Sequence, residues 1–94
     1  MIYVGIDIAK DKHDCCILGP DAEPLVPLFT FHNDRDGFEE LFQKIDQFPV
    51  DMSEIKVGLE ATGHYSLDLL GALLDKGLPT FVINLLHTSL TRKG

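Results

Sequence analysis

The chain has 94 residues, which is enough for one small folded domain and short for most complete enzymes. A hydrophobic content of 45% with 24% charged residues excludes an intrinsically disordered chain, and no run of residues is apolar enough to cross a membrane. Proteins that neutralise nucleic-acid phosphates usually carry a basic stripe, and with a net charge of −7 this chain alone is expected to bind nucleic acid poorly.

The first half of the chain predicts three consecutive strands. Residues 2–9 alternate aliphatic and other side chains, which predicts a strand, and a polar turn leads into a second strand over residues 13–18. Turn-forming glycine and proline then precede a third strand over residues 25–31. Because Pro27 cannot donate a ladder hydrogen bond from mid-strand, we expect the third strand at an edge of the sheet.

A first helix is predicted to follow. Asn33 and Asp34 are candidate N-caps, and the helix is expected to end near Pro49. Apolar residues at spacings of three and four predict the face that packs on the core: Phe38, Leu41, Phe42, Ile45 and Phe48.

The remaining elements are a strand, a second helix and a last strand. Residues 55–60 predict the fourth strand, Thr62 is a plausible N-cap, and Gly77 is expected to stop the helix. Residues 79–84 predict the fifth strand, and residues 85–94 predict no element. Four leucines are expected to line the second helix: Leu67, Leu70, Leu73 and Leu74.

The predicted order is β-β-β-α-β-α-β, an antiparallel meander followed by two crossover units. Right-handed crossovers would place the first strand in the interior of a mixed sheet, with the fourth strand beside it and parallel to it. We therefore predict an α/β fold in a single domain over residues 1–94.

Two of these strands carry the same Gly-x-carboxylate pattern, in IYVGIDIA and in IKVGLE. Asp7 and Glu60 are therefore predicted to project from one face near the carboxyl ends of parallel strands, where open α/β sheets bind ligands. Gly5 and Gly58 lie two positions earlier on the same face. We expect these glycines to leave room beside each carboxylate for a metal, a water or a phosphate.

Two such carboxylates would need a positive partner. At a separation of about 4 Å they would repel by roughly 4 kcal/mol at an effective dielectric constant near 20. Mg²⁺ or Mn²⁺ would supply the charge, since both prefer oxygen ligands and activate an attacking oxygen at phosphodiesters. The alternative is that Asp7 caps the following turn and Glu60 faces solvent.

Three segments resemble a known family: VGIDIAKDKHD (4–14), LEATGHY (59–65) and LLDKGLPTFVIN (73–84). Over essentially the whole chain they are similar to the N-terminal domain of the DEDD-type insertion-sequence transposases, the group that includes the Piv-like DNA invertases. The resemblance implies a RuvC-like domain of the ribonuclease H-like fold. It also implies that Asp7 and Glu60 are the first two catalytic acids of the D-E-D-D set and ligands of Mg²⁺.

The same resemblance implies a metal-dependent DNA transposase whose last two acids are aspartates on a later helix. Nothing acidic follows Asp75, so we expect a catalytic domain truncated before that helix, and one that does not cleave DNA alone. Most DNA contacts are expected from the remainder of a longer protein. The family further implies a homo-oligomer and, in some members, a structured guide RNA.

Three other residues are candidates to lie near the substrate. Lys10, in the turn after Asp7, would approach a DNA backbone or simply form a solvated turn. Thr62 would cap the second helix or bind an anion at its start. His64 would touch a phosphate or orient a water, or it is merely tolerated at a helix N-terminus.

Two other functions fit the pattern less well. Actin-like and sugar-kinase-type ATPases also begin with an acidic residue after an aliphatic strand. They need small residues in the first turn to cradle phosphate, and the turn here is AKDK. A non-enzymatic assembly module is the third hypothesis, with apolar surface exposed near the edge strand.

The two cysteines are predicted to form no disulfide. Cys15 and Cys16 are adjacent, and neighbours in sequence rarely meet disulfide geometry, so both are expected to be reduced thiols on opposite faces of the second strand. The N-terminus lacks the order of a secretory signal. We therefore expect a cytoplasmic protein.

Overall fold

The elements follow one another in the predicted order. The computed structural model describes residues 1–61 and 66–84. The helices are α1 (Arg35–Asp46) and α2 (Leu67–Asp75), and a 3-10 turn over Met52–Glu54 leads into the fourth strand. The strands are β1 (Ile2–Asp7), β2 (Lys12–Leu18), β3 (Pro24–His32), β4 (Ile55–Ala61) and β5 (Thr80–Asn84).

The five strands form one mixed sheet in the order β3-β2-β1-β4-β5. The β1–β2 and β2–β3 pairs are antiparallel, whereas β1–β4 and β4–β5 are parallel. The predicted interior position of β1 beside β4 is confirmed, and β3 with Pro27 lies at an edge. The arrangement agrees with the ribonuclease H-like fold that the resemblance implied. Neither described helix is long and apolar enough to cross a membrane.

The hydrophobic core lies on one face of this sheet. The alternating residues Val4, Ile6, Val57 and Leu59 of the two central strands are at most 1% exposed. Burial of one such side chain stabilises the fold by about 1.5–3 kcal/mol. The residues predicted for the first helix pack here as expected: Phe38, Leu41 and Ile45 are buried, and Phe42 and Phe48 are partly buried against them.

The start of α1 depends on one of its two predicted caps. The Asp34 carboxylate accepts a hydrogen bond from the Gly37 N–H at 2.8 Å, which satisfies one of the free donors of the first turn. Asn33 does not cap the helix, and its side chain is bonded elsewhere. The helix ends at Asp46, whose carboxylate accepts from the Lys76 ammonium at 3.0 Å.

The second helix differs from its prediction in two respects. Its N-cap is Ser66, whose hydroxyl accepts from the Leu69 N–H at 3.1 Å, so the assignment of Thr62 as cap was wrong. Thr62 itself lies outside the described residues. The buried stripe also differs, because Leu67 is 78% exposed and Leu74 is 56% exposed, and Leu69 lies in the core instead. In so leucine-rich a segment, the starting residue decides which stripe is buried.

The ends of α2 and of β1 also define the local geometry. Gly77 has a positive φ of 85° and ends α2 as predicted, since this backbone conformation favours glycine. Strand β1 ends at Asp7, two residues earlier than predicted, because the pairing with β2 begins there. Ile8 is still buried, and its N–H donates to the Glu60 carbonyl at 2.9 Å.

The two cysteines lie on opposite faces of β2, as predicted. Cys15 is fully buried in the core, whereas Cys16 is half-buried on the other face, and both are free thiols. The pKa of the Cys15 thiol is raised to about 12, mainly by burial and also by the nearby Cys16, while Lys44 acts in the opposite direction. At pH 8 only about one Cys15 in 10⁴ is therefore the reactive thiolate.

We expect a thiol-reactive disulfide reagent at pH 8 to modify Cys16 in a fast phase and Cys15 only as the chain unfolds. The Cys16→Ser variant should lose the fast phase, and the matched Cys15→Ser variant should keep it. Stopped-flow absorbance with and without denaturant measures both. Two fast thiols in the native wild-type chain would contradict the buried position of Cys15.

Candidate metal centre

The two predicted carboxylates are brought together by the register of β1 against β4. Asp7 pairs with Glu60, and two residues earlier in each strand Gly5 pairs with Gly58. Paired residues of neighbouring strands share a face of the sheet. Asp7 is exposed and Glu60 is half-buried, at the carboxyl ends of their strands and on the face opposite the core.

A third carboxylate, which the sequence pattern did not predict, lies in the same row. Asp14 of β2 is the antiparallel partner of Asp7, so Asp14, Asp7 and Glu60 stand side by side across three strands. The Thr30 hydroxyl donates to the Asp14 carboxylate at 2.7 Å. The alternation of β2 predicts that Asp14 lies on the face opposite the core. Pairing it with Asp7 also requires the register of the β1–β2 hairpin, which the length of the turn does not determine.

The glycines make room for an aromatic ring, and this corrects the prediction that they make room for a ligand. A Cβ built on Gly58 would clash with the Tyr3 hydroxyl and lie 2.9 Å from the Phe81 ring. A Cβ on Gly5 would lie 3.1 Å from the Tyr3 ring and 3.3 Å from the Cys16 sulfur. The ring of Tyr3 therefore lies across both glycines.

Tyr3 forms part of the wall beside the carboxylates. A groove of about 390 Å³ contains Asp7, Asp14 and Glu60 together with Tyr3 and Cys16. Burial raises the pKa of the Tyr3 phenol above its usual value of 10.0, and the charges of Glu60 and Cys16 raise it further. The phenol is therefore neutral at physiological pH and adds no negative charge to this acidic groove.

The other predicted substrate-proximal residues are placed only in part. Lys10 is exposed in the turn between β1 and β2. Within residues 1–61 and 66–84, Lys76 and Asp46 form the single salt bridge. Lys10 therefore forms no ion pair with the carboxylates there. Thr62 and His64 lie outside the described residues, and their contacts with substrate stay predictions.

A larger groove of about 720 Å³ lies between α1 and α2. It is lined by residues such as Arg35, Phe38 and Asp68 and contains neither Asp7 nor Glu60. We place the candidate centre in the smaller groove, because the carboxylates of neighbouring strands converge there and because strand ends of α/β sheets are the usual ligand sites.

The donor set fits a divalent cation only as an incomplete site. Asp7 and Glu60 offer the hard oxygen ligands that Mg²⁺ and Mn²⁺ prefer. In the described part of the chain, no group of three or more histidine, cysteine, aspartate or glutamate side chains has the geometry to hold a metal ion. Asp14 is in the row but is engaged by Thr30, so two ligands are available.

Comparison with known families identifies the kind of protein to which this chain belongs. The model of the IS110-type DEDD transposases, described as Transposase, matches residues 4–94. The chain belongs to this transposase family. The match includes both strands that carry Asp7 and Glu60, and it confirms the resemblance found in the sequence.

Curated relatives agree with this assignment. The pilin gene-inverting protein of Moraxella bovis is 38% identical over 63 residues, and that of Moraxella lacunata is 36% identical over 63 residues. In each case the match covers 67% of this chain and 19% of the relative. The chain thus spans about a fifth of the length of these relatives.

A solved structure supports the fold alone. Pelota from Archaeoglobus fulgidus superposes with a TM-score of 0.57 over 89% of this chain and 26% of its own. The sequence identity is 16%, which carries no statement about activity.

The packing of Tyr3 over Gly58 makes a testable prediction. The Gly58→Ala variant should lose about 1 kcal/mol of unfolding free energy, because overpacking against Tyr3 and Phe81 outweighs the gain from replacing a flexible glycine. Gly71→Ala is the matched control: its added Cβ meets nothing within 4 Å in α2, so it should stabilise by about 0.5–1 kcal/mol.

Urea denaturation of the two variants measures both effects. Combining Gly58→Ala with Tyr3→Leu should recover part of the loss, because the shorter side chain frees the space above Gly58. A Gly58→Ala variant as stable as Gly71→Ala would show that the ring of Tyr3 does not occupy this position.

Proposed function

We propose that this chain carries the first half of the catalytic centre of a DNA transposase, in which Asp7 and Glu60 hold a divalent metal ion. The longer protein would use the centre to cleave and rejoin DNA phosphodiesters. In this proposal, residues 1–94 form the N-terminal part of a RuvC-like catalytic domain. The remaining acids of the set would come from outside this chain.

The observation that supports the proposal most strongly is the in-register pairing of Asp7 with Glu60 across parallel strands. Membership of the transposase family gives this pair its meaning, since the match spans both acids and the resemblance implies that they are the first D and the E of the set. The same pair on an unrelated fold would carry much less weight. Neighbouring like charges also destabilise a sheet unless a cation lies between them.

The chain's own residues would bind and orient the ion. Asp7 and Glu60 would supply carboxylate oxygens from two rigid central strands, which fixes their separation better than loops would. The bound ion would supply Lewis-acid activation of an attacking oxygen at a phosphodiester. Asp14 would act mainly as an added negative charge, because its carboxylate is already bonded to Thr30.

DNA is the substrate that the family suggests, and the acidic character of this chain limits how it would be reached. A net charge of −7 opposes approach of a polyanion, so a bound cation and the basic surface of other segments would be needed. A homo-oligomer and a guide RNA stay predictions of the family resemblance.

The proposal predicts that the 94-residue chain binds Mn²⁺ weakly through both acids. We expect Asp7→Asn and Glu60→Gln each to weaken the affinity by about tenfold or more, since each removes one of two ligands. Asp14→Asn should weaken it less, because only a nearby charge is lost. Water proton relaxation during a Mn²⁺ titration measures the affinities, and Asp51→Asn, just before the 3-10 turn that leads into β4, is the control. Unchanged affinity in an Asp7→Asn, Glu60→Gln double variant would exclude this centre.

The Asp7→Asn variant should be less stable than the wild-type chain when Mn²⁺ is bound and more stable when the metal is removed. Without metal, Asp7→Asn should stabilise the chain by about 0.5 kcal/mol, because a like-charge pair is relieved. With Mn²⁺ at ten times the wild-type dissociation constant, the wild-type chain should gain about 1.4 kcal/mol and the variant about 0.4 kcal/mol or less. Thermal unfolding with Mn²⁺ or with a chelator gives both numbers. An Asp7→Asn variant that is destabilised without metal would indicate a structural carboxylate.

A further inference from the structure

A hydrogen-bonded network of polar side chains runs through the interior beside the candidate centre. His13 of β2 is fully buried and lies edge-on to Phe31, with ring centroids 5.3 Å apart. Its Nδ1 accepts from the Ala9 N–H at 3.2 Å, and its Nε2 lies 3.0 Å from the Asn33 Oδ1. The Ser66 hydroxyl donates to the same Asn33 oxygen at 2.6 Å.

Backbone amides at both ends fix the direction of every hydrogen bond in this network. Because the Ala9 N–H donates to Nδ1, the proton of a neutral His13 must be on Nε2, which therefore donates to Asn33. At the other end the Leu69 N–H donates to the Ser66 oxygen, so the Ser66 proton is free to point at Asn33. The Asn33 oxygen thus accepts two bonds, and the arrangement is unique.

This network connects the segments that follow the two candidate metal ligands. Ala9 is two residues beyond Asp7, and Ser66 is the N-cap of the helix that follows the strand of Glu60. Between them, the Ile8 N–H donates to the Glu60 carbonyl at 2.9 Å. The Glu60 backbone is therefore linked to the N-terminus of α2 by the hydrogen bond to Ile8, the peptide bond from Ile8 to Ala9 and the side-chain network that starts at Ala9.

The geometry points to His13 as a positioning residue of the candidate centre. Through Asn33 and Ser66 it fixes the turn after Asp7 against the start of α2, and so holds the ends of β1 and β4 in the register that pairs Asp7 with Glu60. This role rests on the proposed metal-binding function. His13 touches neither carboxylate in this arrangement and acts only through the backbone that carries them.

Packing alone does not account for a histidine at this position. The site is fully buried between apolar groups, and an aromatic hydrocarbon would fill it without the cost of desolvating two ring nitrogens. A polar network in which every partner is satisfied specifies one arrangement of the elements that it joins. In the described part of the chain, no buried side-chain nitrogen or oxygen lacks a hydrogen-bond partner.

The test separates the cap of α2 from the link to His13 by two substitutions at one residue. Ser66→Asp keeps an oxygen that caps the helix but has no proton to donate to Asn33. Ser66→Thr keeps both the cap and the donor, and is the matched control. His13→Phe removes both nitrogens and keeps the aromatic packing on Phe31.

Amide hydrogen exchange in the metal-free 94-residue chain is the first readout. The Ile8 amide reports on the junction between the two strand ends, and the Val4 amide in the middle of β1 reports on the sheet as a whole. We expect Ser66→Asp and His13→Phe to accelerate exchange at Ile8 by about tenfold while Val4 is unchanged, as for a local opening. Ser66→Thr should match the wild-type chain.

The second readout is Mn²⁺ affinity, which should fall by about tenfold in Ser66→Asp and His13→Phe and stay unchanged in Ser66→Thr. In the wild-type chain, ¹⁵N shifts of the His13 ring should show the proton on Nε2. Equal acceleration at Ile8 and Val4, unchanged exchange at Ile8, or a proton on Nδ1 of neutral His13 would each overturn the positioning role. A wild-type chain that binds no Mn²⁺ would refute the metal centre and leave the exchange result to judge the link separately.

Discussion

The parallel pairing of β1 with β4 is the constraint on which the rest of the structure depends. It joins the N-terminal meander to the crossover half of the chain, and it places the aliphatic residues of both central strands on one side under the helices. The same pairing puts Gly5 opposite Gly58 and Asp7 opposite Glu60 on the other side. A slip of one residue in either strand would move its carboxylate into the core, so the burial of the aliphatic face fixes the acidic pair.

The two faces of the sheet are therefore stabilised by different interactions. One face is sealed by Leu41, Ile45 and their neighbours, and its stability comes from apolar burial. The other face carries a row of three carboxylates with Tyr3 beside it, and its groups interact by charge and by ring packing over glycine. Because the central strands are held firmly by the sealed face, repulsion among exposed acids is tolerated at the open one.

The sequence predicted the element order, the position of β1 beside β4 and the pairing of Asp7 with Glu60, because period-two alternation and crossover geometry determine them. It missed Asp14, since the partner of Asp7 across the hairpin depends on how the turn after Asp7 sets the register. It assigned the glycine space to a ligand, although Tyr3 on the same face was available to fill it. The cap of α2 was placed at Thr62 instead of Ser66 because several hydroxyl residues precede a helix whose leucines allow more than one buried stripe.

The distance along the chain between the two acids has a kinetic consequence. Asp7 and Glu60 are separated by the whole of β2, β3 and α1, whereas the β1–β2–β3 meander is built from near neighbours. Closing such a long loop costs more chain entropy than forming a hairpin, so local pairings are expected to precede the docking of β4. The acidic pair would then come into existence only with that late docking step, and a cation bridging both acids would mainly slow unfolding rather than speed folding.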